Sequence, residues 1–154
     1  MFLRNVLECN RVGQLTLKEV PILGPHDSMA DAAAEMRAHS HGSALVCDAG
    51  KLVGVFTERD LLKSIARGTA PDSPLSQVMT TKPQTITPDD TLLSVIGLMD
   101  HGGYRRLPVT DAAGRPVGIV DVKTVVHFLV EHFPAAVYNQ ASHAQLTAKD
   151  REGA

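Results

Sequence analysis

Apolar positions along this chain change period in a fixed order, and the order occurs twice. Val20-Pro21-Ile22-Leu23 predicts a short strand, and Pro21, which has no N–H to give to a ladder, confines it to an edge. Met29, Ala32, Ala33 and Met36 then recur at helical spacing behind Ser28, a helix-cap residue type with an acidic residue, Asp31, three positions later. Residues 43–47 and Val53-Gly54-Val55-Phe56 predict two strands joined through Asp48-Ala49-Gly50 into a hairpin. The second of these, and Val117-Gly118-Ile119-Val120 later in the chain, are nearly unbroken apolar runs, the pattern of strands covered on both faces. A helix from Glu58 to about Arg67 completes the unit.

The second copy follows at an offset of 63, which lays Pro25 on Pro88, Met36 on Met99 and Val46 on Val109. One inserted residue near Ala113 raises the offset to 64, so that Val53-Gly54-Val55 meets Val117-Gly118-Ile119. The second copy is predicted to contain a strand over 84–87, a helix capped by Thr91 with Leu92, Val95, Ile96 and Met99 on its apolar face, and strands around Leu107-Pro108-Val109 and Val117-Gly118-Ile119-Val120. Its last helix runs from Val122 to about Phe133. Two copies of about sixty residues are too few for a stacked array, which needs ~3 units, and more naturally pack face to face about a pseudo-twofold axis with a cleft between them. The expected organisation is an N-terminal extension over 1–15, which Phe2, Leu3, Val6 and Leu7 suit to an amphipathic turn or two, a first domain over 16–68, a linker over 69–74, a second domain over 75–134 and a polar tail over 135–154. The fold class is α/β (α+β).

Composition narrows the function classes. With 15 basic against 17 acidic side chains the formal charge is −2, which gives no global field for nucleic acid or an anionic membrane. No apolar stretch approaches the roughly 20 residues that span a bilayer, and the start lacks the basic-then-apolar order of an export signal. Two cysteines, Cys9 and Cys47, make no disulfide framework, so the expected setting is a reducing cytoplasm. The seven histidines include no metal-ligand spacing, and neither a nucleophile elbow nor a Walker loop is present, so no metal site and no catalytic activity are expected.

The unit ending in Gly54-Val55-Phe56-Thr57-Glu58-Arg59-Asp60 resembles the CBS domain, and the pair resembles a Bateman module of the stand-alone prokaryotic type. The mark is a Gly, two apolar residues, then Thr or Ser with an Asp three positions on; Gly118-Ile119-Val120 matches its opening, while Val78-Met79-Thr80 and Tyr104-Arg105-Arg106-Leu107-Pro108-Val109 resemble the lead-in and middle strand. The resemblance covers about residues 16–134. It implies that Asp60 accepts hydrogen bonds from the ribose hydroxyls of an adenine nucleotide, with Thr57 helping to hold ribose or phosphate. It also implies that Arg105, Arg106 and Lys123 face the phosphate, and that Val55, Pro108 and the backbone near Thr85 and Ile86 flank the base. From the residues alone, Thr57 and Asp60 are first a capping box, and that role is compatible with an anionic ligand at a helix N-terminus.

The second copy separates the two roles. It has Asp121 and Thr124 where the first has Thr57 and Asp60, so a cap remains while the ribose-directed carboxylate is gone. The mirror positions of the arginines are Gly42 and Ser43, without charge, which predicts one competent and one degenerate site. The expectation is a regulatory CBS pair that binds AMP or ADP, with ATP as a third candidate, and that forms a homodimer through its helices; the apolar faces around Met29, Met36, Leu92, Ile96 and Met99 are candidates for that contact or, equally, for intramolecular core. The alternatives are an adaptor with vestigial clefts, an S-adenosylmethionine or NAD-type ligand, or nucleic acid at the Arg pair; the effector protein is not identified.

Overall fold

The structure, a computed structural model, describes residues 2–17, 19–135 and 137–139. The tail expected over 135–154 therefore lies, from residue 140 on, outside the described residues, as does His143. The elements are α1 (Phe2–Cys9), a 3-10 turn (Val12–Gln14), β1 (Ile22–Leu23), α2 (Met29–Ala38), β2 (Ser43–Asp48), β3 (Lys51–Thr57), α3 (Glu58–Ala66), α4 (Leu75–Val78), β4 (Thr80–Thr81), α5 (Leu92–Gly102), β5 (Arg106–Thr110), β6 (Pro116–Asp121) and α6 (Val122–His132). They form two compact units that cut across the sequence copies. One comprises Met1–Thr16, Pro88–Arg106 and Asp121–Ala154; the other comprises Leu17–Thr87 and Leu107–Val120.

The second of these units contains a four-stranded sheet in the order β1-β2-β3-β4. β1 runs parallel to β2 at the edge, where Pro21 offers its carbonyl to Leu45 N–H at 2.9 Å, and β2, β3 and β4 are antiparallel. Ala49 and Gly50 join β2 to β3 with both φ values positive, 51° and 79°, as a two-residue type I′ turn requires. On one face of the sheet Ala44, Val46 and Phe56 pack with Met29, Ala32 and Met36 of α2 and with Leu75 of α4. On the other, Leu45 and Val55 pack with Val20 and with Ile119 of the second copy. The strand expected over 84–87 contracts to a single parallel bridge, Ile86 with Val109, because Pro83 and Pro88 on either side have no N–H with which to extend it. In β6 only Gly118, Ile119 and Val120 are buried; Val117, expected to be covered, is exposed.

The capping residues act as their types predict. Ser28 accepts the N–H of Asp31 at 3.0 Å and Thr91 that of Ser94 at 3.1 Å, each worth about 1 kcal/mol to its helix. The linker is not a loose tether: Ser73 and Pro71 accept the N–H groups of Met29 and Ala30, and Ser28 bridges Pro74. The same contacts recur one repeat earlier in the other unit. There Asn10 accepts Leu92 N–H at 3.0 Å and Arg11 bridges Thr91, while α1 packs on α5 through its buried Val6 and Leu7. Thus the segment preceding each copy starts the first helix of the other copy.

The pseudo-symmetry extends to two close approaches in the sheet-bearing unit. A Cβ on Gly54 would lie 2.5 Å from Met79 Sδ and 3.0 Å from the Thr80 carbonyl, and one on Gly118 would lie 2.9 Å from Leu17 Cδ1. These are the glycines of the repeated motif, and both admit a lead-in segment against a strand.

Candidate functional site

The end of β3 and the start of α3 build the site around Asp60. Thr57, extended at φ −120°, caps α3: its Oγ1 accepts Asp60 N–H at 3.2 Å and donates to Asp60 Oδ2 at 3.1 Å, while Thr57 N–H donates to the same Oδ2 at 3.0 Å. A residue that sequence spacing did not place here, Thr80 of β4, donates its hydroxyl to Asp60 Oδ1 at 3.2 Å, with Oδ2 at 3.4 Å. The strand pairing explains how it arrives, since β4 lies on β3 with Thr80 opposite Val55. A carboxylate has about four lone-pair positions. Thr57 takes two on Oδ2 and Thr80 chiefly one on Oδ1, so the half-buried Asp60 retains capacity on Oδ1 for a further hydroxyl donor.

The other expected residues divide clearly. Val55, Pro108 and Ile86 are buried, Val55 within the Leu45 cluster, and Ile86 commits both backbone groups to β5: its N–H to Pro108 O and its carbonyl to Thr110 N–H, each at 2.9 Å. Thr85 is half-buried and is the one of the four with appreciable surface. Arg105, Arg106 and Lys123 belong to the other unit and are exposed; among the described residues none of them forms an ion pair, unlike Arg4 with Glu8 or Arg115 with Asp111. Lys123 stands in the first turn of α6, just after the Asp121 N-cap, at the end where the helix dipole by itself disfavours a cation.

At α6 the capping roles are inverted. Asp121 is the N-cap, and its Oδ1 accepts both the N–H and the hydroxyl of Thr124 at 2.8 Å. The carboxylate of that copy therefore serves the helix start, and a hydroxyl stands where Asp60 stands in the first copy. Ser43, the first-copy counterpart of Arg106, lies opposite Thr57 in the β2–β3 ladder and is fully buried, with no hydrogen-bond partner for its Oγ among the described residues.

A groove of about 600 Å³ lies instead between α5 and α6 and is lined by Ile96, Met99, Tyr104, Val122, Val126 and Leu129, with Asp100 and Arg105 on its border. Of the apolar residues open to either a helix-mediated interface or the core, Met29, Met36 and Leu92 are core, at 5% exposure or less, and Ile96 and Met99 reach this groove. Their periodicity was the same; the packing partner decides. His39, His101 and His132 each set Nδ1 on the carbonyl four residues earlier at a helix end, and no group of three or more His, Cys, Asp or Glu gathers among the described residues. Cys47 is half-buried, and burial pushes its thiol up from the usual range. No helix among the described residues is long and apolar enough to cross a membrane.

The CBS domain family matches residues 12–67 and again residues 75–131. The chain belongs to the CBS-domain family. A 17.7 kDa protein of Acidianus ambivalens is 32% identical to this CBS pair over 122 residues, 79% of this chain and 74% of that one; the chain spans less than two thirds of several other curated relatives. Among solved structures, CBSX2 in complex with AMP matches at a TM-score of 0.69 with 26% identity, covering 79% of this chain and 97% of that one. The CBS domain pair of protein MJ0100, solved with 5'-methylthioadenosine and S-adenosyl-L-methionine, matches at 0.70 with 25% identity, covering 78% and 95%. The match covers nearly all of both solved chains, and both structures contain adenosyl compounds.

Proposed function

We propose that this CBS pair is a regulatory sensor that binds an adenine nucleotide, AMP or ADP with ATP as a third candidate, through Asp60. The observation that carries the reading is the Asp60 carboxylate, held by Thr57 and Thr80 with Oδ1 able to accept another hydroxyl, in the one copy that has an acid at this position. Similarity to CBSX2 and to the MJ0100 pair supports an adenosyl ligand. Arg105, Arg106 and Lys123 are assigned to the phosphate: they are exposed cations without ion pairs among the described residues, and Arg grips phosphate oxygens through two parallel N–H groups. Thr85 offers surface to the base, with Val55, Pro108 and Ile86 as the apolar body behind it. Binding alters output only through unequal affinity for two states of the chain. A reducing cytoplasm suits the two free thiols.

Isothermal titration with AMP, ADP, ATP and S-adenosylmethionine tests the reading. Saturable heat with AMP or ADP is expected; no heat and no thermal shift with any of the four sinks it and leaves an adaptor module.

A specific observation also favours self-association. Val122, Val126 and Val130 form a stripe on α6, each 49% exposed, beside the α5–α6 groove. Asp100 and Arg105 border that groove with opposite charges, and a twofold axis passing between them would set each against the other's copy. The expected result is a dimer by light scattering that Val126→Glu converts to monomer; an unchanged mass for the variant would refute this face.

A further inference from the structure

Two of the three hydroxyl and amide donors on Asp60 come from its own helix cap, and both end on one oxygen. Thr57 N–H and Thr57 Oγ1 fix Oδ2 at 3.0 and 3.1 Å. A carboxylate held at one oxygen still swings about its terminal torsion, which is broad for Asp. The donor that stops the swing arrives from elsewhere: Thr80, twenty residues on in β4, reaches Oδ1 at 3.2 Å. Thr80 is exposed, so its hydroxyl has water as an alternative partner and nevertheless faces the carboxylate. The bond is directed by the ladder, in which Thr80 lies opposite Val55, two residues before the cap.

We propose that Thr80 is a positioning residue for Asp60: it holds Oδ1 so that the remaining lone pair points at the ribose hydroxyls. The proposal rests on the adenosyl reading above. It also makes β4 part of the ligand's environment, so a displacement of the segment after the linker would be felt at Asp60 without any contact between that segment and the ligand.

The test compares Thr80→Val, which keeps the β-branched shape and removes the hydroxyl, with Thr80→Ser, which keeps the hydroxyl. Affinities for AMP and for 2',3'-dideoxy-AMP, which lacks the ribose hydroxyls, are measured for each. Wild type should prefer AMP by roughly tenfold or more, the size of a hydrogen bond to a charged group. In Thr80→Val the preference should fall at least about threefold, and Thr80→Ser should restore it. A merely structural role would weaken both ligands equally and leave the ratio unchanged, which would overturn the proposal. A ligand-free arm checks the bond itself: Thr80→Val should lower the melting temperature in the wild-type background and not further in Asp60→Ala. Additive lowering would overturn the proposal whatever the ligand data say. Wild type that binds neither compound overturns the adenosyl reading and this role together, whereas wild-type preference for AMP that Thr80→Val retains overturns the role alone.

Discussion

Asp60→Ala is expected to lower affinity for AMP about 10- to 100-fold while the chain remains folded. The magnitude follows from a hydrogen bond to a charged acceptor, about 1.5–3 kcal/mol, at 1.4 kcal/mol per decade. The same change removes one half of the reciprocal cap with Thr57 and the acceptor of Thr80, so it should also cost about 1 kcal/mol of stability. Thr124→Ala is the control. Its hydroxyl donates to Asp121, whose carboxylate is engaged in the α6 cap, and the substitution should leave AMP affinity nearly unchanged. Equal losses in the two variants, measured by titration calorimetry below the melting transition, would refute a single competent site. Thr124→Asp should not generate a second tight site, because Gly42 and Ser43 at the mirror positions have no charge to neutralise a phosphate.

The inversion at α6 explains why the site was half legible from the sequence. A cap is a local device, and both Thr57 with Asp60 and Asp121 with Thr124 show it at a spacing of three. Which partner is left with a carboxylate facing outward follows directly from the residue types. Thr80 carries no such spacing. It reaches Asp60 only because β4 pairs with β3, and β4 is two residues long, too short to leave an alternation in the pattern. Ser43 was recognisable as uncharged but not as buried, since its burial depends on neighbours across the sheet.

The fold divides in the same way. The hairpins, the four long helices of the two copies and their caps follow from periodicity and end chemistry. The exchange of lead-in segments does not, because it is made of single backbone bonds, such as Met29 N–H to Ser73 O and Leu92 N–H to Asn10 O, that leave no mark on hydrophobic order. Nor does periodicity separate core from interface. Met36 and Met99 occupy equivalent helical positions, yet Met36 packs against Phe56 and Leu75 while Met99 lines an open groove.

Gly54→Val should be the most damaging single change in the sheet, lowering stability by about 2–3 kcal/mol, the upper part of the range for overpacking. A side chain at residue 54 meets Met79 Sδ at 2.5 Å, which the flexible thioether could relieve by swinging away. It also meets the Thr80 carbonyl at 3.0 Å, and that atom is backbone fixed by the Gly54–Thr81 and Val55–Thr80 pairs. β4 must therefore move away from β3, taking Thr80 from Asp60. The expected outcome is a fall in melting temperature of about 5–10 °C, at roughly 2–4 °C per kcal/mol for a chain of this size, accompanied by weaker AMP binding. A melting temperature within about 1 °C of wild type would contradict the close approach. Adding Met79→Ala separates the two contacts: relief of the thioether alone should recover part of the stability but not the AMP affinity, because the carbonyl contact still displaces the strand that carries Thr80. Recovery of both would mean that the side chain of Met79, rather than the backbone of β4, sets the requirement for glycine.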